Sequence, residues 1–193
     1  CRRTILLNVL FIAIEIFYGL YANSLALLAD AGHNASDVLG LFLAWAAVIL
    51  SKRLPSERYT YGLQSSSILA ALANAIFLLV ACGGIGLEAI QRFSNPQESG
   101  SATVMIVAGI GIFINGFTAF LFMSGSKNDL NIRGAFLHMA ADAAVSLGVV
   151  ISAFFMLKTS YLWIDPLVSL IIAIIIIIGT WGLLRDSIML SLH

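Results

Sequence analysis

Charge is scarce in this chain. Of 193 residues only 10% are Asp, Glu, Lys or Arg, against 60% hydrophobic. Ordinary soluble domains carry about 25% charged residues. A soluble fold of this length has too little interior to hide so much apolar surface, which excludes a soluble globular domain. Ten basic and ten acidic residues cancel to a net charge of zero, so nothing points to nucleic acid as a partner. Cysteine is nearly missing as well. Cys1 and Cys82 form no C-x-x-C, which argues against both a disulfide framework and a thiolate metal site. No H-E-x-x-H occurs, and no low-complexity tract interrupts the chain.

What remains is long apolar runs, with a mean hydropathy of +0.99. Six can be placed, at about 4–22, 25–50, 65–90, 102–123, 134–157 and 166–184. Each is long enough to span a bilayer, and lipid offers no partner to free backbone groups. The expected fold class is therefore an all-α membrane protein, a six-transmembrane-helix bundle. Arg2, Arg3, Lys52, Arg53, Arg58, Lys127, Arg133 and Arg185 fall on one side of such a bundle, and only Arg92 and Lys158 on the other. The positive-inside rule then places both termini in the cytoplasm. The short turn at Tyr21 to Ser24 makes the first two helices neighbours. Gly83, Gly84, Gly109, Gly111 and Gly116 are expected where helices approach closely.

Against this background, ionisable residues inside the runs stand out. ALLADAGHNASDVLGLFL, residues 26–43, carries Asp30, His33 and Asp37, and their offsets share one helix face. AFLHMAADAAVSLGVV, residues 135–150, repeats the spacing with His138 and Asp142. At 1.5 Å per residue, His33 and Asp37 lie about 12 and 18 Å below the outer edge. His138 and Asp142 lie about 6–10 and 12–16 Å above the inner edge, so both pairs straddle the middle of a core about 30 Å thick. Two antiparallel helices can join them there into one set of two imidazoles and two carboxylates. That set suits tetrahedral Zn²⁺ better than Mg²⁺, Ca²⁺ or Cu⁺.

Two neutral histidines and two aspartates would also balance a divalent charge. Without metal, the same carboxylates are costly in a low-dielectric core, and protonation relieves them. Binding zinc must then expel protons. Such a site, open alternately to each side, is a proton-coupled antiporter: zinc is the transported substrate and protons the counter-ion. The rival readings are a passive zinc channel and an intramembrane zinc-dependent enzyme. A channel needs weak multi-site binding, and an enzyme needs an open coordination position.

Other polar residues have plainer readings. Asp30 either guides ions at the outer mouth or caps a helix start. Glu15 and Asn8 line the inner cavity or bond to neighbours. Asn74 and Asn115 read as interhelical glue. Glu88 and Arg92 read as a surface ion pair, and Asp165 as the N-cap of the sixth helix; the basic loops read first as topology determinants, with a loop pair that switches at Glu57 and Arg58 as the second reading.

SLALLADAGHNASDVLGL, RYTYGLQSSSILAALAN, DLNIRGAFLHMAADAAVSLGVV and WIDPLVSL together resemble the cation diffusion facilitator family, on its zinc-transporter branch. The resemblance implies six helices, a homodimer and export of zinc from the cytoplasm in exchange for protons. Its transport site maps onto His33, Asp37, His138 and Asp142, and His33 in the first position implies a stricter zinc preference than Asp would. The family usually carries a cytoplasmic α/β domain after the sixth helix. The expectation is that residues 1–193 form a single transmembrane domain and that this further domain is absent from them. SGSKNDLNIRG, between the fourth and fifth helices, holds no histidine-rich tract, which leans towards a bacterial inner membrane.

Overall fold

A computed structural model describes residues 2–51, 66–123 and 130–191. Among them there are six helices and no strand. They are α1 (Arg2–Tyr21), α2 (Leu25–Ser51), α3 (Ser66–Ser94), α4 (Ser101–Met123), α5 (Leu130–Thr159) and α6 (Ile164–Ser191). Four segments among the described residues are long and apolar enough to cross a membrane: Ala71–Ser94, Ser101–Met123, Ile132–Thr159 and Ile164–Gly182. Asn8–Tyr21 is a shorter apolar helix. Helix α5 begins at Leu130, before the expected start at 134, so Gly134 falls inside the helix rather than at its boundary. The loop pair expected at Glu57 and Arg58 lies outside the described residues.

The most extensive interfaces join α4 to α5 and α3 to α6, while α2 touches α1, α3, α5 and α6. That central placement suits α2, whose Asp30, His33 and Asp37 share one helix face that is poorly suited to lipid. Its apolar residues supply the core with Ala26, Leu27 and Ala29, packed with Val104 and Ala108 of α4, Val149 and Ala153 of α5, and Ile172 and Ala173 of α6. Small residues let these helices approach closely. Among the glycines expected at contacts, Gly111 alone is one: a Cβ there would stand 3.1 Å from Phe11 and 3.2 Å from Ser146. At Gly83, Gly84, Gly109 and Gly116 an added Cβ meets nothing within 4 Å. Gly19 instead faces Leu28.

Three connections gather at one end of the bundle and close it with hydrogen bonds. Helix α1 stops in a Schellman arrangement. Asn23 has φ 53°, its N–H reaches Leu20 O at 3.2 Å, and the Ser24 N–H reaches Gly19 O at 2.9 Å. Asn is one of the few side chains that tolerate this left-handed conformation. Arg92 of α3 holds the turn from below, donating to Asn23 O and Oδ1 at 2.7 Å each. It also pairs with Glu88 at 3.1 Å. The pair forms as its spacing implies, but the guanidinium is buried rather than on the surface, because it also serves the turn. Gly100 donates to Ala22 O at 2.8 Å, and a Cβ on it would meet the Ala22 backbone at 3.3 Å.

Asp165 closes the same end. The expectation that it caps α6 is wrong: Leu167 N–H bonds to Trp163 O at 3.1 Å, so Trp163 takes the cap position and Asp165 falls in the first turn. Pro166 is accommodated there because N–H groups of a first turn have no intrahelical acceptor. The Asp165 carboxylate turns to α2 instead. It accepts from Ser24 Oγ at 2.5 Å, Leu25 N at 2.7 Å and Ala26 N at 3.4 Å. Ser24 Oγ in turn accepts from Leu27 N at 3.2 Å. The orphan donors at the start of α2 are thus satisfied by a neighbouring helix. Asp165→Ala leaves buried donors unpaired, at about 1–3 kcal/mol each. The expected result is a clearly lower melting temperature, read by circular dichroism in detergent; an unchanged melt would contradict the role.

Candidate metal centre

One turn of helix separates His33 from Asp37 on α2, and another separates His138 from Asp142 on α5. The two helices meet along a ladder. Asp30 Oδ2 accepts from Ser146 Oγ at 2.7 Å. His33 Nε2 lies 3.2 Å from Asp142 Oδ1. His138 Nε2 lies 3.2 Å from Asp37 Oδ2. Steps forward along α2, from 30 to 33 to 37, are matched by steps back along α5, from 146 to 142 to 138. The helices are therefore antiparallel, with each histidine facing the other helix's aspartate.

The remaining edges close a ring. His33 Nε2 stands 3.8 Å from Asp37 Oδ2, and His138 Nε2 stands 3.7 Å from Asp142 Oδ2. The imidazole rings lie 6.0 Å apart at 72°, edge to face. Each nitrogen thus sees two carboxylates and each carboxylate two nitrogens. The structure brings all four sequence-chosen residues together. Ligand atoms of His33, Asp37 and Asp142 all lie within 4.8 Å of one another, and His138 joins through its contacts with the two aspartates. A tetrahedral zinc with bonds of about 2.0 Å separates its ligand atoms by about 3.3 Å. The N···O contacts of 3.2–3.8 Å fall near that spacing, with Asp142 meeting His33 through Oδ1 and His138 through Oδ2.

Access to the ring is one-sided. Side-chain exposure rises from 2% at Asp142 through 21% at His33 and 29% at Asp37 to 44% at His138. His138 lies nearest the end opposite the hydrogen-bonded connections. Towards those connections, Asp30, Leu27, Ala26 and Ser24 are all fully buried. Asp30 is therefore neither at a mouth nor a cap; it is sealed in the packing and tied to Ser146.

Several polar contacts escaped the sequence reading. Asn34 donates to Glu15 Oε2 at 3.0 Å, linking α1 to the ligand-bearing helix. Ser36 donates to Asn74 Oδ1 at 3.3 Å, which bears out the interhelical role for Asn74. Asn115 is buried, and its side-chain nitrogen has no partner. The signal that could have found Asn34 and Ser146 is their position, one residue after His33 and four after Asp142, in otherwise apolar stretches.

Comparison with known proteins settles the family. The sequence model of the cation efflux transmembrane domain matches residues 2–190. The chain belongs to the cation efflux family. These are the cation diffusion facilitators that its motifs resemble, and the similarity lies on the zinc-transporter side. This cation efflux chain is 38% identical over 180 residues to the cadmium, cobalt and zinc/H(+)-K(+) antiporter of Bacillus subtilis, covering 92% of the chain and 58% of that protein. It is 37% identical over 179 residues to the zinc transporter ZitB of Escherichia coli, covering 92% and 57%. Against the cation efflux system protein CzcD of an Alcaligenes strain it is 33% identical over 177 residues, covering 92% and 56%. The cation efflux chain thus spans a little over half the length of these relatives. With its apolar helices and bacterial relatives, it is a polytopic inner-membrane protein.

Proposed function

We propose that this chain is the translocating part of a proton-coupled exporter of Zn²⁺. In this reading residues 1–193 act as a single transmembrane domain of six spans with both termini in the cytoplasm, working as a homodimer in the bilayer. His33, Asp37, His138 and Asp142 hold one zinc ion between α2 and α5. The observation that carries the reading is the ring of Nε2 and carboxylate atoms at 3.2–3.8 Å, built from two helices, with Asp142 buried and His138 exposed.

The mechanism follows from the chemistry of that ring. In the metal-free site, protons on the imidazoles screen two carboxylates that would otherwise be unpaired in a medium of low dielectric. Zinc needs neutral imidazole, so its entry displaces those protons. Charge in the site stays nearly constant through the exchange, and either form can be carried across. The exposure gradient supports an inward-open state: the ring is reached from the basic side and sealed on the other. Alternating access then requires α2 and α5 to open at the Asp165 and Arg92 end while closing near His138. Cadmium and cobalt appear in the name of the Bacillus relative, so both belong among the test ions beside zinc.

Proteoliposomes with an imposed pH gradient test the proposal. Zinc should accumulate on the acidic side, against its own gradient, and collapse of the pH gradient by an ionophore should stop it. Zinc that merely equilibrates, at a rate indifferent to the pH gradient, would refute proton coupling and favour a channel.

A further inference from the structure

Glu15 on α1 lies outside the metal ring and is fully buried. Its Oε2 accepts one hydrogen bond, from Asn34, and its Oε1 has no partner. Asp30 on α2 is equally buried, with Ser146 on Oδ2 and nothing on Oδ1. Asn34, which donates to Glu15, lies one turn of α2 beyond Asp30, so both carboxyls face the α1–α2 interface. Along their helices they lie about 9 Å and 7.5 Å from the sealed end, at Tyr21 and Leu25.

The charges that could balance this pair can be counted by element. Helix α1 packs on α2 and α4. Helix α4, Ser101–Met123, contains no Asp, Glu, Lys, Arg or His. From α2, Asp30 and Asn34 face Glu15, and His33 is the one group nearby able to carry positive charge, already engaged with Asp142 and Asp37. On α1 itself, Arg2 and Arg3 lie about 18 Å or more away along the axis. Two adjacent ionised carboxylates, each with one neutral donor and with only His33 to bring positive charge, already shared by Asp37 and by Asp142, are too costly to persist at such burial.

We propose that Glu15, backed by Asp30, holds a proton in this conformation and forms a second proton-binding site, distinct from the four metal-facing residues. Asp30 lies on the sealed side of the ring, and Glu15, itself fully buried, meets α2 at Asn34 beside it. In this proposal its proton exchanges with water when the sealed end opens, which ties its release and uptake to the outward step. The role in transport rests on the exporter reading; the protonation itself does not.

Infrared spectroscopy on the purified protein at neutral pH tests the protonation directly. The parent should show the carbonyl stretch of a buried protonated carboxylic acid. Glu15→Gln should lose that band while binding Zn²⁺ with the parent's affinity. In proteoliposomes, its zinc flux should depend less steeply than the parent's on the pH of the outer side, the remaining dependence being that of the ring. A folded Glu15→Gln protein that keeps the band, or keeps the parent's outer-pH profile, overturns the proposal. So does a parent without the band. Should Glu15→Gln not fold, Asp30→Asn serves instead: removing the neighbouring charge should shift the loss of the band to lower pH, and an unchanged titration overturns the proposal. A band lost as expected in a parent that moves no zinc supports the proton site and rejects the exporter reading.

Discussion

Asp142→Ala should abolish zinc transport while the helices stay folded. Asp142 is the most deeply buried of the four ring residues and contacts both histidines, His33 across the interface and His138 one turn back on its own helix. In the proposed site its removal takes away one of four oxygen and nitrogen ligands and one of two charges that would neutralise the ion. Loss of a mere outer-shell partner costs roughly 10–100-fold in metal affinity, so loss of a ligand should cost at least about 100-fold. The fold should survive, because the uncompensated group left behind is His33, which can become neutral by giving up its proton. Isothermal titration with Zn²⁺ and circular dichroism check both halves. A variant within about tenfold of the parent's affinity would place the ion elsewhere.

The second large effect is on pH dependence. In the proposed mechanism zinc displaces protons from the ring, so apparent affinity should rise with pH. Linkage sets the slope: each proton released contributes about tenfold in affinity per pH unit, over the range in which the metal-free site is protonated. Two displaced protons give up to about 100-fold per unit. The sign is fixed, since acid favours the protonated, empty ring and alkali the metal-bound one. Titrations at several pH values, each repeated in buffers of different ionisation enthalpy, yield the proton count independently of the affinity. Affinity that is flat between acid and neutral pH would mean that zinc and protons do not compete, and the coupling would lose its physical basis.

How much of this was legible in the sequence depends on the range of each interaction. The His-x-x-x-Asp spacing is a local property, because a helix forces i and i+4 onto one face. Depth estimates from the helix rise also foreshadow the register. In a core about 30 Å thick they set Asp37 level with Asp142 and leave each histidine some ångströms off its observed partner, about one helical turn at most from the register in which His33 meets Asp142 and His138 meets Asp37. What the sequence does not carry is rotation of one helix against another. Asp165 reads locally as a cap for the helix that follows it. Only packing reveals that its carboxylate serves the start of α2, about 140 residues away in sequence. Asp30 was ambiguous for the same reason, since its partner, Ser146, sits on a helix whose facing side no pattern in α2 specifies. Glycines behaved alike: Gly111 meets Phe11 and Ser146, whereas Gly109, two residues earlier, meets nothing. Composition cannot tell the two apart, because only the facing helices decide.

The site and the seal above it also explain each other. A ring of ionisable groups in an apolar core needs water on one side at a time. Here the hydrogen bonds of Asp165, Arg92 and Asn23 fasten the end beyond Asp30, while exposure grows towards His138. These are polar contacts between helices, and water can replace them when the end opens. A purely apolar seal would offer no such exchange.

X-ray absorption at the zinc edge, on the purified protein loaded with one equivalent of metal, addresses the ring most directly. Four nitrogen and oxygen neighbours at about 2.0 Å, including two imidazoles, are the expected result, with one imidazole lost in His138→Ala. A spectrum unaltered by that substitution, or one dominated by sulfur or by six oxygens, would contradict the account.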